Sequence, residues 1–89
     1  MSSRENWELH LDRSVEKILR RLPAQDRIRI SLVISLLTLN LFSGDIQKMK
    51  GRNDVWRRRI GNYRLFCKID LANRIIVVFD LERRTSSTY

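Results

Sequence analysis

Two strand-like runs separated only by Gly61-Asn62 constrain this chain more than any other feature. Val55 to Ile60 and Tyr63 to Asp70 are rich in β-branched and aromatic residues, and a two-residue link whose glycine supplies positive φ closes them as a tight hairpin. The turn sets the register: Ile60 faces Tyr63, Arg59 faces Arg64 and Arg57 faces Phe66. Directly opposed residues share a face. One side of the hairpin therefore carries Arg57, Arg59, Arg64 and Phe66, with Lys68 further along, and the other carries Trp56, Ile60, Tyr63, Leu65, Cys67 and Ile69. The second side is an apolar surface able to cover helices. Arg58 stands among that apolar set, opposite Leu65, so either its stem snorkels to an edge or the strand is bulged.

The rest of the chain supplies the helices. Trp7, Leu9 and Leu11 alternate with Glu8, His10 and Asp12, the period of a strand with one dry face, which leaves His10 on the wet side. Val15, Ile18, Leu19 and Leu22 recur at helical spacing, with Asp12 or Ser14 as the cap, and Pro23 stops that helix. A second helix is expected from about Ala24 to Phe42. Beyond Ile30 it is apolar on more faces than a strand-backed helix requires, so the Leu36 to Phe42 end is expected to meet a partner. Ser43 to Asp45 form a turn, Ile46 to Asn53 a basic loop with Lys48, Lys50 and Arg52, and Arg74 to Leu81 a last strand. The whole is a single α+β domain, residues 1–89: a strand, a two-helix hairpin and a three-strand antiparallel meander, with helices on one face of a largely antiparallel sheet.

Charge is unevenly spread. The 89 residues carry 18 Lys and Arg against 10 Asp and Glu, net +8. Residues 1–45 hold seven basic and six acidic side chains, residues 46–89 eleven and four, so the excess belongs to the C-terminal half and points to a polyanionic partner. One cysteine and one histidine leave no disulfide and no His or Cys metal site, as in a reducing compartment. The longest apolar-rich run, Ile30 to Phe42, is thirteen residues, short of the roughly 18 a membrane helix needs. The expected location is the cytoplasm, with no membrane association.

Arg59 opposite Arg64 costs about 0.2–1 kcal/mol if it mirrors the usual cross-strand terms, so a fold that keeps the pair has a use for it. One reading is a solvated basic face with Asp80 neutralising an arginine. The other is anion recognition, since the guanidinium fork suits phosphate and Phe66 can stack on an unpaired base. Cleaving RNA through its own 2′-hydroxyl needs that group deprotonated, the phosphorane stabilised and the leaving oxygen protonated. Arginines supply the second function, and a phenol near cations can move a proton, with no metal or other cofactor called for.

The segment GDIQKMKGRNDVWRRRIGNYRLFCKID and the ending ERRTSSTY, in this order of elements, resemble the RelE/ParE superfamily of toxin-antitoxin toxins, closer to the RelE branch. The resemblance implies the RelE-like fold and a ribosome-dependent endoribonuclease acting on mRNA. It assigns RNA contacts to Arg57 and Arg59, with Lys48, Lys50, Arg52, Phe66 and Lys68 on the same basic surface. It assigns catalysis to Arg64, to Arg83 or, after a small gap, Arg84, and to Tyr89 as the group that activates the 2′-hydroxyl. It also implies a cognate antitoxin, for which Leu36, Leu37, Leu41 and Phe42 are the expected docking surface, and contact with operator DNA only through the antitoxin complex. The alternatives are a ParE-like inhibitor of DNA gyrase without nuclease chemistry, and a noncatalytic RNA-binding module. The nuclease reading requires strand register to gather the arginines into one cradle.

Overall fold

The computed structural model describes residues 7–39, 41, 44–51 and 54–83. They run β1 (Glu8–Leu11), α1 (Arg13–Arg21), α2 (Ala24–Leu36), β2 (Ile46–Lys48), β3 (Val55–Ile60), β4 (Tyr63–Asp70) and β5 (Ile75–Arg83). The five strands form one sheet in the order β1-β5-β4-β3-β2. β1 is parallel to β5, and the other three pairings are antiparallel. The expected α+β order is the order observed, with one addition. Part of the basic loop is a short edge strand, β2, whose polar Gln47 and Lys48 after Ile46 conceal it from a search for alternating apolar residues.

Local chemistry accounts for the helix boundaries. Asp12 ends β1 and caps α1, its carboxylate accepting from the Ser14 amide at 3.2 Å and the Ser14 hydroxyl at 2.6 Å. Those hydrogen bonds hold its pKa below the ordinary carboxylate value. Leu22 is extended, as a residue before proline tends to be. The Pro23 carbonyl then accepts from the Arg27 amide at 2.9 Å as α2 begins. α2 stops at Leu36, six residues short of the expected end. There Ser35 Oγ donates to the Leu32 carbonyl at 2.7 Å, and the Leu37 and Leu39 amides bond three residues back in a tightened turn.

Both helices cover one face of the sheet. Val15 and Leu19 of α1, Ile30 and Ile34 of α2, and Ile60, Leu65, Cys67, Ile69, Ile76, Val78 and Leu81 of the strands form one buried cluster. Leu37 and Leu41 belong to it at 3% and 9% exposure, which corrects the expectation that they are docking surface. The turn after Leu36 rolls them inward to close the end of the core. Of the expected set, Leu36 is exposed, and Phe42 lies outside the described residues. Leu36 joins Ile28, Leu32 and Leu39 in an exposed stripe along α2 and the turn after it. Among the described residues no helix is long and apolar enough to cross a membrane.

Cys67 is fully buried, and desolvation pushes its thiol from the ordinary 9.0 up to about 12. The buried phenol of Tyr63 is likewise raised, by desolvation first and by its bond to Asp26 second. Raised acids of this kind stabilise the fold fully below their unfolded values, and that contribution fades as pH climbs through the folded ones. Native protein at pH 8 should leave Cys67 unreacted toward an aromatic disulfide reagent while denatured protein reacts fully. The urea midpoint should fall as pH rises above about 9, less so in Cys67→Val.

Candidate functional site

The face of the sheet away from the helices is built in rows by the pairing of β3, β4 and β5. At the hairpin end Arg59, Arg64 and Glu82 lie side by side. The next row is Gln47, Arg57, Phe66 and Asp80, and the next Val55, Lys68 and Val77. The expected pairing of Arg57, Arg59, Arg64, Phe66 and Lys68 on one face is therefore observed. Arg58 takes the helix-facing side without a bulge in β3 and snorkels to the sheet edge, where Nη1 donates to the Arg59 carbonyl at 2.9 Å. Its guanidinium lies against Gly44, where an added Cβ would fall 2.6 Å from Cζ.

Each arginine of the open face is held differently. Arg57 donates to the Gln47 side-chain oxygen at 2.9 Å, a neutral partner that fixes the guanidinium without cancelling its charge. Arg59 receives a loose ion pair from Asp45, Nε to Oδ2 3.7 Å, while its amide donates to the Asp45 carbonyl at 2.9 Å. Asp45 and Gln47 were not anticipated as partners, because only the pairing of β2 brings them beside β3. Among the described residues Asp80 forms no ion pair with an arginine. It stands opposite Phe66, and its carboxylate accepts from the Leu81 amide at 2.8 Å.

Arg64 is the constrained member. It is half-buried between Arg59 and Glu82, and its Nε is inaccessible without a hydrogen-bond partner. A buried donor left unpaired costs about 1–3 kcal/mol. Phe66 packs against Phe79 with centroids 6.3 Å apart, and Lys68 Nζ lies 5.8 Å from the centre of the Phe79 ring. The open face is thus cationic toward the hairpin end and aromatic toward the middle of β5.

A β-bulge decides where the last arginine goes. Phe66 pairs with Asp80 but Cys67 with Val78, leaving Phe79 as an extra residue on β5. Beyond it the alternation is reversed: Leu81 and Arg83 face the helices, and Glu82 faces outward. Arg83 stands opposite Tyr63 on the helix-facing side, so it is not gathered into one cradle with Arg57, Arg59 and Arg64. The register places Lys48 opposite Trp56, also on that side, and Lys50 is exposed in the turn after β2. Arg52, Arg84 and Tyr89 lie outside the described residues. Among the described residues no group of three or more His, Cys, Asp or Glu side chains is placed to hold a metal ion.

Comparison with known proteins gives the geometry a context. The family profile described as ParE toxin of the type II toxin-antitoxin system, parDE, matches residues 9–86. No curated protein matches the chain at a significant level. Among solved structures the archaeal RelE-RelB complex from Pyrococcus horikoshii OT3 superposes with TM-score 0.76 at 22% identity, covering 91% of this chain and 98% of that one. The RelB-RelE complex from Methanococcus jannaschii gives 0.69 at 27% identity, over 83% and 88% of the two chains. The isolated E. coli RelE toxin gives 0.71 at 18% identity, over 92% and 88%.

The unpaired Nε and the opposed arginines make Arg64 a cost to stability. Arg64→Met, which keeps the apolar stem and removes the donor, should raise the unfolding free energy by about 1 kcal/mol in urea titrations. The same variant should bind polyanions more weakly.

Proposed function

From the premise that the chain belongs to the ParE toxin family of type II toxin-antitoxin systems, a membership carried by residues 9–86, we propose that it is an endoribonuclease that cuts mRNA on the ribosome. The observation that carries this reading is the row Arg59-Arg64 beside Arg57 on the uncovered sheet face, with the Arg64 Nε unpaired. A nucleic-acid backbone brings phosphate acceptors to this row in excess of the carboxylates of Asp45 and Glu82, and release of its counterions adds to the attraction.

In the mechanism the phosphodiester lies across this row. Arg57 and Arg59 position the backbone, and Arg64 places charge against the equatorial oxygens of the phosphorane formed when the 2′-hydroxyl attacks. Collapse of the phosphorane breaks the bond from phosphorus to the 5′-oxygen, which leaves with a proton as a 5′-hydroxyl and gives a 2′,3′-cyclic phosphate. Tyr63 is not the base, since burial and its hydrogen bond to Asp26 raise its pKa. Tyr89 takes that role in this reading. With Arg83 turned toward the helices, Arg84 serves as the late arginine that acts on the same phosphate.

The test is single-turnover cleavage of ribosome-bound messenger by pure protein. Arg64→Ala should slow it by about 10² to 10³, and Arg84→Ala should also slow it, whereas Arg83→Ala should cost less than either. Intact messenger with wild-type protein would remove the nuclease reading. A second reading is favoured by the matching family description, ParE: inhibition of DNA gyrase without nuclease chemistry. Inhibition of supercoiling by protein that leaves messenger uncut would select it, and tight salt-dependent RNA binding without either activity would select a noncatalytic RNA-binding module.

A cognate antitoxin is part of the same proposal, as the similar RelE structures occur as complexes with RelB. Its docking surface is the stripe of Ile28, Leu32 and Leu36 on α2 with Leu39 of the following turn, 45–65% exposed and flanked by exposed Arg27. That combination suits an amphipathic helix with acidic margins. Leu32→Asp should weaken antitoxin binding by at least about ten-fold in calorimetric titration without lowering the melting temperature, whereas Leu37→Asp should unfold the protein.

A further inference from the structure

The helix-facing end of the hairpin contains a second cationic feature. A hollow of about 110 Å³ opens between the first turns of α2 and the Gly61-Asn62 turn, and Asp26, Arg29, Tyr63 and Arg83 contribute to its walls. Tyr63 Oη donates to Asp26 Oδ2 at 2.9 Å. The Arg29 guanidinium lies over the turn glycine: a Cβ at Gly61, whose φ is +59°, would fall 3.1 Å from Arg29 Nη1. Arg83 reaches the hollow from β5 because of the Phe79 bulge. Neither the Arg29 nor the Arg83 side chain has a hydrogen bond or ion pair with another described residue.

Two guanidiniums without an ion pair among the described residues, beside one carboxylate itself occupied by a phenol, leave a net charge of one in a confined polar space. A bridging phosphodiester carries one negative charge, whereas a terminal phosphate monoester carries about 1.5 to 2. The hollow therefore matches the internal backbone of a nucleic acid better than its phosphorylated end. The position matters equally. Arg59 and Arg64 lie on one face of the hairpin's closed end, and Arg29 and Arg83 on the other, with only the Gly61-Asn62 turn between them.

We propose that this hollow is a second phosphodiester site, so that single-stranded RNA bound on the arginine face crosses the hairpin turn and sets a flanking phosphate between Arg29 and Arg83. The proposal rests on the RNA reading above, and it gives Arg83 a binding role away from the reacting phosphate. Asp26 sets the charge of the site, and Gly61 leaves space for Arg29.

Fluorescence anisotropy with 2′-O-methyl oligonucleotides, which cannot be cut, separates this site from the arginine face. Arg29→Ala should weaken binding of an octanucleotide about 3- to 10-fold and reduce the slope of log affinity against log salt by about 0.7, the value for one phosphate on a single strand. The same variant should leave a dinucleotide unaffected, Arg29→Gln should behave alike, and Asp26→Asn should tighten octanucleotide binding. Arg59→Ala should weaken both oligonucleotides. If Arg29→Ala keeps wild-type octanucleotide affinity and slope while Arg59→Ala weakens both, the second site is wrong and the RNA reading stands. If neither variant changes binding, both are wrong. An equal loss on dinucleotide and octanucleotide in Arg29→Ala, or weaker octanucleotide binding in Asp26→Asn, would likewise overturn the separate site.

Discussion

The register between β3 and β4 is the constraint on which the rest of the molecule depends. Gly61 adopts a φ of +59°, which an ordinary side chain resists, and so permits a two-residue turn that puts Ile60 opposite Tyr63. From that pair outward the strands have no freedom. Tyr63, Leu65, Cys67 and Ile69 fall on the helix side, while Arg64, Phe66 and Lys68 fall on the open side. A slip of one residue would bury the cations and expose the core residues, so the apolar cluster beneath the sheet enforces the arrangement of charge above it.

That enforcement explains how a small domain tolerates like charges in one row. The core residues of β4 are at most 6% exposed, and their burial against both helices outweighs a cross-strand repulsion of about 0.2–1 kcal/mol. Arg57 and Arg59 are steadied by Gln47 and Asp45, whereas Arg64 keeps an unpaired donor inside the row. The unpaired donor lies in the same row as the opposed arginines, so the cost to stability is localised at the hairpin end of the open face.

The apolar residues of α2 divide in the same physical terms. Ile30, Ile34 and Leu37 point into the sheet and close the core, while Ile28, Leu32, Leu36 and Leu39 are left outside it. A helix backed by one sheet needs a single apolar stripe. The second stripe is surplus to folding, which is why it supports a partner-binding reading and why the choice of residues within it matters.

Much of this was legible in the residues themselves. The Gly61-Asn62 turn, the alternation on either side of it and Pro23 determined the hairpin, the two-helix unit and the common face of Arg57, Arg59, Arg64, Phe66 and Lys68, because these depend on local backbone geometry. Tertiary structure alone decided three things. β2 became a strand because β3 offered it an edge, bringing Asp45 and Gln47 to the arginines. The turn after Leu36 rolled Leu37 and Leu41 into the core, although nothing in a run so rich in leucine distinguishes inward from outward positions. The bulge at Phe79 reversed the end of β5 and sent Arg83 to the helix side. Its trace is the shift in apolar spacing from two residues at Ile76 and Val78 to three at Leu81, a signal that acquires meaning only once the pairing with β4 is known, since side-chain direction in a sheet is a property of both strands.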